Sequence, residues 1–153
     1  TELTLYFDNK VIAARSFNIG TVRMLLDKVD KEEWEEMKAW LKRNTVGIHP
    51  LNAIGSGGNI NKIFKMSGKK ETKHLSYDRL KGIYEMLCSY TYQERIERPD
   101  LKPDRADVII PAAKIFLTVM KNADIEKVFV PQVGLSDGLI HAMYENYQQK
   151  VKS

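Results

Sequence analysis

At 153 residues and 17.6 kDa, with 43% hydrophobic and 29% charged residues, the chain has the size and composition of one ordinary globular domain with a real core. A net charge of +4 suits an anionic ligand but is too small to argue for nucleic acid, and no apolar run approaches the roughly 18 residues of a membrane span. The single cysteine, Cys88, excludes an internal disulfide; its apolar helical surroundings predict a buried, inert thiol in a reducing compartment, with the cytoplasm as the default location.

The elements follow in chain order. Thr1 to Phe7 alternates, with Leu3, Leu5 and Phe7 set against Glu2, Thr4 and Tyr6, which predicts a strand with one buried face. Asp8-Asn9-Lys10 is a turn signal, and Val11 to Phe17 reads as the returning strand of a hairpin. Asn18-Ile19-Gly20 breaks the strand, and Val22, Leu25, Leu26 and Val29 are spaced for a short amphipathic helix. Asp30 and Glu33 form a capping-box pattern ahead of a helix over about Lys31 to Arg43. Trp34, Met37, Trp40 and Leu41 share one side of it, a spacing that favours a packing face over base stacking.

Val46 to Ile54 predicts the next strand, interrupted by Pro50. It ends in Gly55-Ser56-Gly57-Gly58-Asn59, and Ile60, Ile63 and Phe64 begin a helical pattern immediately behind. Glycines at such a turn let backbone N–H groups approach a ligand, and the helix start adds partial positive charge, which together suit a phosphate. An ordinary strand-to-helix turn that needs positive φ is the plainer reading of the same residues. The lysines at 62, 65, 69, 70 and 73 lie in or near a loop from Ser67 to His74, read as solvated, with anion steering as the alternative.

Ser76 caps a helix through about Tyr90 that turns Leu80, Ile83, Tyr84, Leu87 and Cys88 inward, and a short polar helix covers Tyr92 to Glu97. Arg105 opens a long apolar helix to about Lys121, too apolar for a surface helix, which Pro111 would kink unless the helix proper starts there. Lys127 to Pro131 has the continuous apolar character of a central strand. Gly134 to Gly138 is a second glycine turn, entering a last helix with Leu139, Ile140, Met143 and Tyr147 inward.

Chemistry is sparse. The three histidines and Cys88 share no zinc-ligand spacing, no nucleophile-base arrangement stands out, and the Walker A and dinucleotide patterns are absent. What remains is glycine turns at strand ends, one acidic residue at the start of the first strand, and Arg105. These support an anion or nucleotide site at the strand ends of an α/β sheet.

A family resemblance goes further. Thr1-Glu2-Leu3, Ser16 to Gly20 with Val22-Arg23, Gly55-Ser56-Gly57-Gly58-Asn59-Ile60, Arg105-Ala106-Asp107-Val108-Ile109 and Gly134-Leu135-Ser136-Asp137-Gly138-Leu139 resemble, in the right order, the exopolyphosphatase and guanosine pentaphosphate phosphatase (Ppx/GppA) family. The resemblance implies an actin-like ATPase fold, in which residues 1–153 form the second of two ribonuclease-H-like domains, a mixed sheet flanked by helices. The family's phosphate loop directly precedes Thr-Glu-Leu, so the chain is expected to lack that loop, the first sheet strand and the first domain with its catalytic acid.

The implied function is that of half a Mg²⁺-dependent phosphoanhydride hydrolase, releasing terminal phosphate from polyphosphate or a guanosine penta/tetraphosphate. Glu2 is implied as the carboxylate that helps hold Mg²⁺ or orient the attacking water, and Gly55, Ser56, Gly57, Gly58, Asn59 and Arg105 as substrate contacts. Arg105 alternatively serves as a surface residue at a helix start, and Arg23 is read as structural. Two departures leave the substrate open: Asn59 stands where the family usually has threonine, and Pro111 replaces a small residue. The chain alone is expected to be inactive, to need the missing domain, and to form a homodimer that covers its open sheet edge. From another class, a catalytically silent sensor of a nucleotide or alarmone would use the same cleft; an intact upstream glycine loop and first-domain glutamate would favour the enzyme.

Overall fold

The first strand and its return pair as the alternation requires. In the computed structural model, which describes residues 1–68, 74–97, 101–131 and 133–152, β1 (Glu2–Phe7) runs antiparallel to β2 (Lys10–Ser16), with Glu2 opposite Ser16 and Leu5 opposite Ala13. Asp8 and Asn9 both take left-handed φ, 48° and 58°, which matches the tight hairpin turns that follow strand twist. A bulge between Leu5 and Tyr6 shifts the register. Leu3 and Leu5 are therefore half-buried while Phe7, predicted on the same face, is 69% exposed.

After the strand break, α1 (Thr21–Leu25) leads to α2 (Lys31–Thr45). The capping box does not form: Asp30 makes no side-chain cap bond, and Glu33 Oε1 instead accepts the Asn18 N–H at 2.6 Å, tying the hairpin exit to the helix. Arg15 adds an ion pair to Glu36 on the same helix. Met37, Trp40 and Leu41 are buried as expected, with Phe17 packed edge-on against Trp40 at 6.0 Å between ring centroids.

The predicted strand over 46–54 shrinks to β3 (Ala53–Ile54). Gly47 at φ +74° turns the chain out of α2, and Pro50, behind a cis peptide bond, offers no N–H to a ladder. Beyond α3 (Gly58–Met66) comes a strand the sequence did not announce, β4 (His74–Ser76), between the end of the expected basic loop at His74 and the Ser76 cap. Three residues are too few for a period to register, although Leu75 is fully buried. Lysines 69, 70 and 73 lie outside the described residues.

In α4 (Tyr77–Ser89), Ser76 Oγ caps by accepting the Arg79 N–H at 3.3 Å, and Leu80, Ile83 and Leu87 are buried. Cys88, predicted inward, is exposed, because it lies one position round the helix from the buried Leu87 stripe. The polar helix α5 (Tyr92–Glu97) has the expected bounds. The long apolar helix is two pieces, α6 (Pro103–Ala106), which holds Arg105, and α7 (Ile109–Asn122). A continuous helix would put Pro111 in its interior, without an N–H and with its ring against the preceding turn. The break at Asp107-Val108 makes Pro111 the third residue of a new first turn, where no intrahelical acceptor awaits.

α7 packs against α1, α2, α3, α4 and α6 and buries Ile109, Ala112, Ala113, Ile115 and Met120. β5 (Lys127–Phe129) is central in a three-stranded mixed sheet, parallel to β3 and antiparallel to β4, with Val128 and Val130 buried. Among the described residues the hairpin and this sheet are separate. The last helix, α8 (Leu135–Lys152), departs most from expectation. Leu139, Ile140, Met143 and Tyr147, read as inward, are between 59% and 68% exposed, because α8 makes only slight contact with the other described elements.

Candidate functional site

β5 anchors the glycine turn. The Gly55 N–H donates to the Phe129 carbonyl at 2.8 Å, continuing the β3–β5 pairing by one rung and aiming the chain into α3. Gly55 is a packing glycine. A Cβ there would lie 2.9 Å from Phe116 Cε1 and 3.1 Å from both Ile60 Cγ1 and Val128 Cγ2. Gly57 is a conformational one: it has φ +114°, which L side chains rarely adopt, and open space around it.

The turn delivers α3 with its positive end uncompensated. No side chain caps it and no acidic residue occupies its first turn. The first intrahelical bond in reach is Asn61 N–H to the Gly57 carbonyl at 3.2 Å, so helix geometry leaves the amides of Gly58, Asn59 and Ile60 without intrahelical acceptors. Ser56, Gly57 and Gly58 are exposed and Asn59 is half-buried.

Arg105 completes the arrangement from 47 residues away in sequence. Its Nη1 donates to the Gly58 carbonyl at 2.7 Å, and a Cβ on Gly58 would sit 2.8 Å from Nη1 and 3.1 Å from Nη2. Glycine is therefore what lets the guanidinium lie against the turn. Among the described residues Nε and Nη2 of Arg105 have no protein acceptor, so they can meet an anion in the planar geometry that suits phosphate oxygens. One further polar group went unread in the sequence. Asn61, in the first turn of α3, has a buried Oδ1 without a partner among the described residues, and nothing in the primary pattern distinguishes it from a helix-surface asparagine.

Glu2 stands apart. It is exposed at the start of β1, opposite Ser16, and no hydrogen bond or ion pair joins it to Arg105 or to the glycine turn among the described residues. Its neighbour Thr1 is fixed beside the strand break: Thr1 Oγ1 donates to the Ile19 carbonyl at 2.6 Å and the Phe17 N–H donates to the Thr1 carbonyl at 2.8 Å. For Mg²⁺, no cluster of three His, Cys, Asp or Glu residues exists among the described residues. One exposed carboxylate is nevertheless compatible with this ion, which keeps most of its waters and is commonly held by one or two carboxylates together with substrate phosphates. No helix among the described residues is long and apolar enough to cross a membrane.

The model of the Ppx/GppA phosphatase family matches residues 1–147. Among curated proteins no relative matches. Similar solved structures include the Aquifex aeolicus member of that family, at 20% identity and a TM-score of 0.74, covering 95% of this chain and 53% of that one. An exopolyphosphatase from Cytophaga hutchinsonii is similar at 20% identity and a TM-score of 0.74, over 95% of this chain and 54% of its own. The likeness shows the fold, the ribonuclease-H-like α/β domain of actin-like ATPases, and the chain spans about half the length of these neighbours. With the family model covering all but the last six of 153 residues, the chain belongs to the Ppx/GppA phosphatase family.

Proposed function

We propose that the chain forms one wall of the cleft of a phosphoanhydride hydrolase that releases terminal phosphate from inorganic polyphosphate or a guanosine penta/tetraphosphate. The observation that carries this is the Arg105 guanidinium lying 2.7 Å from the Gly58 carbonyl, beside the open amides of the α3 N-terminus. An electropositive concavity of backbone N–H groups with one planar cation binds phosphate oxygens without any titrating group. The exopolyphosphatase description of a structural neighbour supports a polyphosphate-like ligand.

Water attacks the terminal phosphorus in line, so the chain's work is positioning and charge stabilisation. Glu2 is its one candidate carboxylate for holding Mg²⁺, together with substrate oxygens and groups outside this chain. That ion neutralises charge on the transferred phosphoryl group when bound. The catalytic base belongs to the other half of the protein, a homodimer is its working form, and the cytoplasm is where such substrates would be met.

The test uses the full-length protein and Mg²⁺-dependent phosphate release. Arg105→Ala should chiefly raise KM, because a clamp on phosphate binds ground and transition states alike, whereas Glu2→Gln should lower kcat far more than it weakens binding. The 153-residue chain alone should release no phosphate; robust hydrolysis by it, or a full-length Arg105→Ala enzyme with unchanged KM and kcat, would overturn the proposal.

A further inference from the structure

A second basic feature lies away from the glycine turn. α2, α4 and the C-terminal two-thirds of α7 enclose an open groove of about 450 Å³, within the range of small-ligand sites. α7 supplies its floor, with Lys114, Leu117, Thr118, Lys121 and Asn122 at helical spacing along one face. Lys38 comes from α2, and Tyr77, Lys81, Tyr84 and Glu85 come from α4. Four lysines from three helices thus line one groove.

The opposing charge is small. Glu85 Oε1 is 3.7 Å from Lys81 Nζ, and Lys38 Nζ is 2.9 Å from Glu35 Oε1, which leaves Lys114 and Lys121 without a carboxylate partner among the described residues. Lys114 is not simply afloat in solvent. Its Nζ stands 5.8 Å from the centre of the Trp34 ring, a cation–π contact that holds the ammonium at the groove. Thr118 donates its hydroxyl to the Lys114 carbonyl at 2.8 Å, and Asn122 Nδ2 uses one of its two N–H donors on the Thr118 carbonyl at 2.8 Å. The charged donors lining the groove are therefore the lysines, over a Leu117 floor along which their stems can lie.

We infer that this groove is a second anion site, which holds a chain of linked phosphates at a distance from the glycine turn. The inference rests on the reading that the protein handles phosphoanhydrides. Its ammonium groups are spread over three helices, so an extended polyanion can reach several at once where a single orthophosphate reaches one or two. At about 100° per residue, Phe116, which lies against Gly55 of the turn, falls nearly opposite Lys114 and Thr118 on α7, so the groove opens on the other face of the helix from the turn. Occupancy of the groove raises the local concentration of chain near the cleft without any role in bond breaking.

The test titrates inorganic tripolyphosphate and orthophosphate into the 153-residue chain at low salt. It reads tryptophan fluorescence, to which Trp34 contributes, and protection of individual lysines from amine acylation by mass spectrometry. Lys114→Gln with Lys121→Gln, both at exposed positions, should weaken tripolyphosphate binding by about tenfold and leave orthophosphate binding almost unchanged. Lys114 and Lys121 should be protected in the parent chain, while a Lys10→Gln, Lys28→Gln control should behave as the parent. An equal loss in that control, or no loss in the groove variant, overturns the groove. If Arg105→Ala alone abolishes tripolyphosphate binding and lysine protection, the groove falls and the glycine-turn reading stands. Full protection in Arg105→Ala, with orthophosphate binding also unaltered, keeps the groove and removes the phosphate role at the turn.

Discussion

Two neighbouring glycines should answer the same substitution in opposite ways. At Gly55→Ala the new methyl meets Phe116 at 2.9 Å and Ile60 and Val128 at 3.1 Å, three side chains from α7, α3 and β5. Val128 and Ile60 are almost fully buried, so none of the three elements can yield without disturbing the core. Overpacking of this kind costs about 1–3 kcal/mol, and at about 2–4 °C per kcal/mol for a chain of this size the midpoint should fall by roughly 2–12 °C. At Gly58→Ala the methyl meets only the tip of Arg105, at 2.8 Å from Nη1, which can swing into solvent. Gly58 is the first residue of α3, where replacing glycine gains less than the roughly 0.5–1 kcal/mol of a helix interior, the lost exposed hydrogen bond costs about 0.5–1.5 kcal/mol, and stability should fall by no more than about 1 kcal/mol. Thermal unfolding followed by tryptophan fluorescence separates the two variants, and tripolyphosphate titration should show weakened binding for Gly58→Ala, whose guanidinium has been displaced. A parent-like midpoint for Gly55→Ala, or an equal loss in both variants, would refute the assignment of packing to one glycine and ligand geometry to the other.

Tyr84 should report its surroundings in alkaline solution. Desolvation by burial, and then its hydrogen bond with Cys88, hold the phenol pKa above the ordinary value. Because the folded pKa is the raised one, this contribution to stability is complete below about pH 10, the unfolded value, and is lost as pH rises through the folded value. Tyr84→Phe should therefore flatten the decline of the urea midpoint above about pH 10; an identical decline in both proteins would count against it. α8 should mediate self-association. Its exposed residues Ile140, Met143, Tyr144 and Tyr147 are symmetric about the Met143-Tyr144 bond, so an antiparallel partner helix would set Ile140 against Tyr147 and Asp137 against Lys150. Light scattering should find a dimer that Ile140→Lys dissociates, and a clean monomer at high concentration would rule this out.

The parts legible in the sequence are those set by local chemistry. Alternation in Thr1 to Phe7, a turn at Asp8-Asn9, the Ser76 cap and the unbroken Val128-Phe129-Val130 run each act over a few residues, and each produced its element. Failures came where a distant group competed. Glu33 left the capping box for the Asn18 amide, and a bulge turned Phe7 out. α8 has a respectable apolar stripe but no described surface to bury it. At the site, the glycine cluster was readable as a turn with an anion-friendly helix start and Arg105 as a further anion-site residue, while its place as a substrate contact came through family resemblance. That Arg105 reaches the Gly58 carbonyl depends on how α6 docks against α3, a long-range fact that no local spacing encodes. Glu2 has no such contact among the described residues, so its role still rests on resemblance.

The position of α7 has a consequence for how the molecule comes apart. Because α1, α2, α3, α4 and α6 all lean on this one helix, its amides can meet solvent only when every layer has let go. The hairpin is held to α2 by the Asn18–Glu33 bond, the Arg15–Glu36 ion pair and Phe17 on Trp40, whereas α8, with only slight contact to the other described elements, can peel away at much lower cost. Opening therefore begins at α8. A nick within α8 leaves the fold standing, whereas a break inside α7 dissolves all of it at once.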